Sequence, residues 1–367
     1  MIDTQIKPDR IFGLDVMRAV AILMVLCSHI LWIYPPNDGI LTQLFTLFGF
    51  WGVEIFFALS GFLIGKILYT LYYKNDFTYH TVFYFLKRRW FRTLPNYFLI
   101  LLLNTIIAIV FAITVSNIGW YFFFFQNFAA TMTPFFPESW SLSVEEYTYL
   151  VVPLSLLVFS FFSKQKRFIS VILFLTLLFL ITKIAYNSTT HNTTLAQWNV
   201  SLKSVVIYRI DSILIGIAMA WLSLNYNVFW QKQKINLAFL AVFLMLFMLL
   251  GIPFFKMTIA DNPFFWNVCY LPLNSLIFAL FLPFFSQWKT APNWILKPIT
   301  FVSIVSYSVY LLHYSIVLQL MKYAIDTTTL SIIQLHVFTL VYVAITVILS
   351  WILFRYFEKP MMNLRDK

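Results

Sequence analysis

The chain has 367 residues, 61% of them hydrophobic and 11% charged, with 42 Phe and 12 Trp. That composition excludes an ordinary soluble domain and makes lipid the solvent for most of the protein's length. The formal net charge of +11 would suit nucleic acid in a soluble protein, but here the basic residues fall in short loops between apolar runs, where they set orientation instead, so nucleic acid is excluded as a partner.

Apolar runs long enough to cross a bilayer lie near 11–34, 42–70, 93–114, 143–162, 168–186, 204–224, 236–252, 265–286, 300–322 and 332–355. The first follows Lys7 and Arg10 but lacks a small-residue cleavage site, carries Arg18 and precedes many further spans, so it reads as a retained helix rather than a signal peptide. The second is long enough to kink or to lie partly in the interface at Gly49 to Gly52. Loop charge alternates along the chain. One set of loops holds Lys7 and Arg10; Lys74, Lys87, Arg88, Arg89 and Arg92; Lys164, Lys166 and Arg167; Lys232 and Lys234; Lys289 and Lys297; and Arg355, Lys359, Arg365 and Lys367. The opposite loops hold only the isolated Lys203, Lys256 and Lys322. The positive-inside rule then predicts about ten spans with both termini cytoplasmic. The fold class is an all-α polytopic transmembrane bundle, a single domain over 1–367. Cys27 and Cys269 both fall in apolar runs and read as small buried hydrophobes, and no metal-ligand spacing is present.

Chemistry begins in the first span. Arg18 and His29 are eleven residues apart, so they share a helix face with roughly 16 Å between them along the axis. Ionisable side chains in hydrocarbon usually face a cavity and do work. Arg18 could alternatively snorkel to the inner interface, and Asp15, three residues before it, is placed to pair with it. In the second span Glu54 is a carboxylate at membrane depth, expected to partner Arg18 or Arg209.

Lys87-Arg88-Arg89-Trp90-Phe91-Arg92 stands at the entrance to the third span. Such a cluster fixes topology, yet Arg89 and Arg92 neighbour one another on a helix face and, with Arg88, could grip a phosphate. At the fourth span, Trp140-Ser141-Leu142-Ser143-Val144-Glu145-Glu146 contains a Ser143/Glu146 capping box. Glu145 is left over, at the expected depth of His29; it could orient the imidazole, bind a hydroxylated acceptor or pair with Arg209. In the ninth span, Ser303, Ser306, Tyr310 and His313 form a polar stripe that either bonds neighbouring helices or lines a site. Glu358 and Pro360 read as a helix stop.

Taken in order, these motifs resemble the acyltransferase-3 family of integral membrane O-acyltransferases. The resemblance runs through Leu14-Asp15 with Arg18 and His29, Gly52 to Gly61, Arg89 and Arg92 with Leu94-Pro95, Trp140 to Glu146, Arg209-Ile210-Asp211 with Gly216, Ser306 to His313, and Glu358-Lys359-Pro360. Glu54 stands where the family often has Asp. The resemblance implies about ten helices in the bacterial inner membrane, acetyl-CoA or another acyl-CoA as cytoplasmic donor, and a carbohydrate hydroxyl as acceptor, most often in a surface or exported polysaccharide. It implies no metal. Many relatives carry an additional extracytoplasmic domain, so the resemblance leaves open a separate extracytoplasmic transferase, or a homo-oligomer, as partner.

On this reading Arg88, Arg89 and Arg92 hold the donor phosphates, Arg18 marks the path of the pantetheine arm, and His29 takes the proton of the acceptor hydroxyl, with Glu145 orienting it. An acyl-histidine intermediate is the alternative chemistry. The alternative class is a secondary transporter or flippase for an anionic substrate, although no repeated half or matched pair of broken spans is visible. Trp120, Tyr121 and Trp140 suit sugar stacking and interfacial anchoring equally.

Overall fold

The computed structural model describes residues 10–74, 76–162 and 167–365. Lys7, Lys164, Lys166 and Lys367, used above in reading orientation, lie outside the described residues. Among the described residues nine helices are long and apolar enough to span a bilayer: α1 (Phe12–Ile33), α2 (Ile40–Lys74), α3 (Tyr79–Val110), α4 (Ser139–Phe162), α5 (Phe168–Thr189), α7 (Lys234–Phe254), α8 (Phe265–Phe285), α9 (Asn293–Ala324) and α10 (Ile332–Leu364). A tenth apolar helix, α6 (Ile210–Asn225), is shorter. The all-α polytopic bundle is therefore as expected.

Several boundaries differ from the sequence reading, each for a local reason. The second span runs unbroken through Gly49 and Gly52. The third starts at Tyr79 behind a Thr78/Thr81 capping box, so the Lys87–Arg92 cluster lies inside the helix instead of ahead of it. The fourth starts at Ser139, which removes the Ser143/Glu146 capping box: the Ser143 hydroxyl donates to the Ser139 carbonyl (3.2 Å) and Glu146 bonds elsewhere. The last does not stop at Glu358. It widens into a π-turn over Phe354–Glu358 and continues as Lys359–Leu364.

Without a hydrophobic drive between helices in lipid, close packing falls to small residues. α2 crosses α6 where Gly61 meets Gly216; a Cβ on Gly61 would run into the Ile213 carbonyl, and one on Gly216 into the Ala58 carbonyl. α2 crosses α1 in the same way at Gly52, against the Ala21 carbonyl and Val25. These contacts make α2 the central post, with α1 and α9 completing one wall and α6, α5 and α8 the other. α7 is peripheral, with Ala241 its buried residue.

α6 can be short because irregular backbone precedes it at depth. Residues Asn199–Lys203 form a π-turn and Val206–Tyr208 a 3-10 turn, with Leu202, Val205 and Val206 fully buried. Non-helical backbone is tolerated there only because protein satisfies its polar groups; Asn127 Nδ2 donates to the carbonyls of Ser204 (2.7 Å) and Trp140 (3.1 Å).

Candidate active site

Three arginines from two helices open onto one cavity of about 110 Å³. Arg18 comes from α1, and Arg89 and Arg92 come from α3. The opposite walls are Val53, Phe56, Phe57 and Ser60 of α2, Ser141, Leu142, Glu145 and Tyr149 of α4, and Ser306, Tyr307 and Tyr310 of α9. Arg88, one residue from Arg89 and so about 100° round the helix, is not on this cavity; it donates to the Tyr84 hydroxyl at 2.7 Å. Of the four arginines expected to serve the donor, Arg18, Arg89 and Arg92 therefore share the cavity and Arg88 does not.

Asp15 anchors the arginine end. It pairs with Arg10 and, at 3.2 Å, with Arg18, and it accepts from the Ser303 hydroxyl at 2.8 Å. Ser306 lines the cavity while donating to the Ser303 carbonyl. Arg89 packs its guanidinium 5.9 Å from the centroid of the Tyr149 ring. Glu145 lies at this same end. Its Oε2 accepts from the Tyr149 hydroxyl at 2.9 Å, and that hydroxyl shares a 2.9 Å bond with Ser60. The expectation that Glu145 orients His29 or pairs with Arg209 is therefore corrected, because its carboxylate turns toward the arginines.

The far end of the cavity is closed by a hydroxyl pair. Tyr310 shares a 2.7 Å hydrogen bond with Ser141 and donates to the Glu138 carbonyl at 3.1 Å. Beyond Tyr310, outside the cavity lining, sit His29 and His313. The His313 Nδ1 lies 2.7 Å from the Tyr310 carbonyl and 3.1 Å from that of Val309, so Nδ1 carries the proton and Nε2 is an acceptor. That acceptor meets His29 Nδ1 at 3.2 Å, which also lies 2.9 Å from the Val25 carbonyl. Both partners of His29 Nδ1 are acceptors, so it too bears hydrogen, leaving the His29 Nε2 lone pair as the ring's base. Tyr314 flanks the His29 ring at 4.8 Å between centroids.

The helix makes room for this pair. At His313 α9 switches to a π-turn over His313–Leu318, a widening common at functional positions. Glu138 pins the turn by accepting from the Ser315 backbone N–H (3.0 Å) and hydroxyl (2.5 Å). Burial pushes the Glu138 carboxyl up to about 7.

A second polar network lies behind Phe57. Glu54 pairs with Arg209, as expected, and accepts from the Ser275 hydroxyl at 2.6 Å; Lys183 pairs with Asp211 beside it. Arg209 is fully buried, 5.4 Å from the Phe57 ring centroid, and its Nε and Nη1 have no hydrogen-bond partner among the described residues. Trp140 is buried as well, its ring edge-on to Phe57 and under the Lys203 ammonium, which removes it as an open sugar platform. Tyr121 is buried too, whereas Trp120 is exposed.

Sequence reasoning passed over Glu138, for which a carboxylate beside a conspicuous motif was the available signal, and read Lys203 only as a loop cation. It gave Glu146 and Glu358 local helix-end roles, whereas Glu146 accepts from the Thr93 hydroxyl at 2.6 Å and Glu358 is bonded by Asn96 (2.8 Å) and Ser308 (2.6 Å).

Fold and site together define a multi-pass integral membrane protein built around an internal polar site, cationic at one end and bearing a histidine pair past the other. The chain belongs to the acyltransferase-3 family, matching the family described as an acyltransferase domain over residues 11–355. It is 22% identical to O-acetyltransferase OatA of Staphylococcus aureus over 96% of this chain and 57% of that protein. It is also similar to peptidoglycan O-acetyltransferase OatA of Listeria monocytogenes (30% identity over 42% of this chain and 25% of that protein). A third relative is the putative peptidoglycan O-acetyltransferase YrhL of Bacillus subtilis (28% over 45% and 27%). The chain spans little more than half the length of the Staphylococcus relative. No solved structure matches it.

Proposed function

We propose that this protein is a membrane O-acyltransferase that takes an acetyl group from acetyl-CoA arriving at the cytoplasmic face and passes it to a hydroxyl of a surface carbohydrate. The observation that carries the proposal is the cavity itself, with Arg18, Arg89 and Arg92 at one end and the tautomer-fixed His29 beyond the other. Coenzyme A is a polyanion on a long, thin arm. Guanidinium groups suit its phosphates, and the cavity of about 110 Å³ beside them is lined by both apolar and hydroxyl side chains. The relatives' names support an acetyl group and a glycan acceptor.

The chemistry assigns each residue one task. The arginines neutralise and orient the donor, and Asp15 holds Arg18 in place. Tyr310 lies between the cavity and the histidines, its ring centroid 5.8 Å from that of His313. His29 Nε2 removes the acceptor proton as the hydroxyl attacks, and His313 Nε2 accepts from the Nδ1–H on the opposite side, stabilising the imidazolium as it forms. Closure of the cavity at Tyr310 favours group transfer over through-passage of an anion.

The test is incubation of the purified protein in lipid nanodiscs with acetyl-labelled acetyl-CoA. Saturable binding and release of free coenzyme A, with label on a glycan acceptor, are expected. A protein that ignores acetyl-CoA refutes the proposal. Comparing surface glycans of cells with and without the protein by mass spectrometry identifies the acceptor.

A further inference from the structure

Lys203 looks like a stray loop cation in the sequence, yet the fold draws it to the histidine end of the site. The π-turn Asn199–Lys203 is tucked into the bundle, and Asn127 ties the next residue, Ser204, to Trp140. The Lys203 ammonium lies 5.5 Å from the Trp140 ring centroid. Trp140 leads directly into Ser141, a wall of the cavity, and its ring meets Phe57, another wall. The ionisable groups within electrostatic range of Lys203 are Arg209, at the N-cap of α6, Glu54 of α2 and His29 of α1; His313 of α9 bonds His29. Glu54 is committed to Arg209 and Ser275. A half-buried ammonium in this setting, with a second cation as neighbour, is costly unless negative charge develops in front of it.

Acyl transfer generates such a charge. We propose that Lys203 is a catalytic residue whose ammonium hydrogen-bonds the acyl carbonyl oxygen as the tetrahedral intermediate forms, with His29 serving the attacking hydroxyl. The inference rests on the transfer reading above. In the step, the hydroxyl proton passes to His29 Nε2 while the new O–C bond forms and the carbonyl π pair moves onto oxygen. The resulting oxyanion faces Lys203. When that pair returns, the C–S bond breaks, its electrons leave on sulfur, and the proton held by His29 ends on the thiolate. Lys203 keeps its proton throughout.

The experiment measures coenzyme A release from acetyl-CoA by the full chain in nanodiscs, with a soluble N-acetylglucosamine–N-acetylmuramic acid oligosaccharide as acceptor probe. Lys203→Met should lower kcat about 10²–10³-fold, the range for removing one oxyanion donor, with acetyl-CoA affinity unchanged. Lys203→Arg should retain much of the activity. If the ammonium must be charged, kcat should fall on the alkaline side in the wild type, and Lys203→Arg, whose guanidinium stays charged, should move that limb upward. Wild-type turnover in Lys203→Met overturns the proposal. So does joint loss of turnover and acetyl-CoA binding in that variant, which marks a structural role, or an alkaline limb that stays put in Lys203→Arg. A wild-type protein that binds no acetyl-CoA refutes the transfer reading first, and this inference with it.

Discussion

Replacing His313 by Ala leaves His29 in place and removes the acceptor behind it. In the resting site His29 Nδ1–H is shared between the Val25 carbonyl at 2.9 Å and His313 Nε2 at 3.2 Å. Once Nε2 has taken a proton, that N–H belongs to a cation, and its hydrogen bond to neutral nitrogen is charge-assisted. Such bonds contribute about 1.5–3 kcal/mol, equivalent to roughly 10- to 150-fold in rate. His29→Ala removes the base itself and should cost about 10²–10⁴-fold. Because His313 acts through His29, the double variant should be no slower than His29→Ala alone, a non-additivity expected of groups working as a unit. The assay is single-turnover coenzyme A release in nanodiscs, with acetyl-CoA affinity and thermal melting measured alongside to exclude misfolding. Full activity in His313→Ala, or a double variant that loses the product of the two single effects, refutes the coupling.

Arg92→Ala and Arg89→Ala should each weaken acetyl-CoA binding by about tenfold or more, the effect of losing one charge-assisted contact, without moving the melting temperature; calorimetric titration showing unchanged affinity contradicts the donor assignment. Glu54→Leu should destabilise the protein by about 3–5 kcal/mol because it leaves a buried guanidinium unpaired, while adding Arg209→Met should restore much of that loss; equal melting of the single and double variants argues against it. Gly61→Ala should also lower the melting temperature, by strain of about 1–3 kcal/mol where the methyl meets the Ile213 carbonyl. Ser60→Ala, which removes a cavity-wall hydroxyl bonded to Tyr149, should change turnover far less than His29→Ala, as comparison of kcat values would show.

The helical phase of α1 was legible because Arg18, His29 and Asp15 lie on one element, where spacing fixes the face. Arg89 and Arg92 were legible for the same reason, three residues apart on one helix. Partner choice across helices was not. The stripe Ser303, Ser306, Tyr310 and His313 marked the polar face of α9, but periodicity does not say that His313 meets His29. Glu145 and Glu146 differ by about 100° of helix rotation; one faces the cavity and the other Thr93 of α3, a distinction set by where α4 begins. Hydropathy started the sixth span at 204, since the buried 3-10 turn Val206–Tyr208 is apolar enough to pass for helix. Lys203, just ahead of that start, read as an isolated loop cation because nothing in the sequence shows that its turn is buried.

The Ser141–Tyr310 bond also bears on permeability. Were the arginine-lined cavity to run straight on to His29, protons and small ions would gain a wet route through much of the bundle. The membrane potential would then fall across whatever thin barrier remained, at about 2.3 kcal/mol per charge for each 100 mV. One phenol ring, latched to Ser141 and the Glu138 carbonyl, stands at that junction. A cavity interrupted in this way can open at its arginine end without giving a continuous polar path across the bundle.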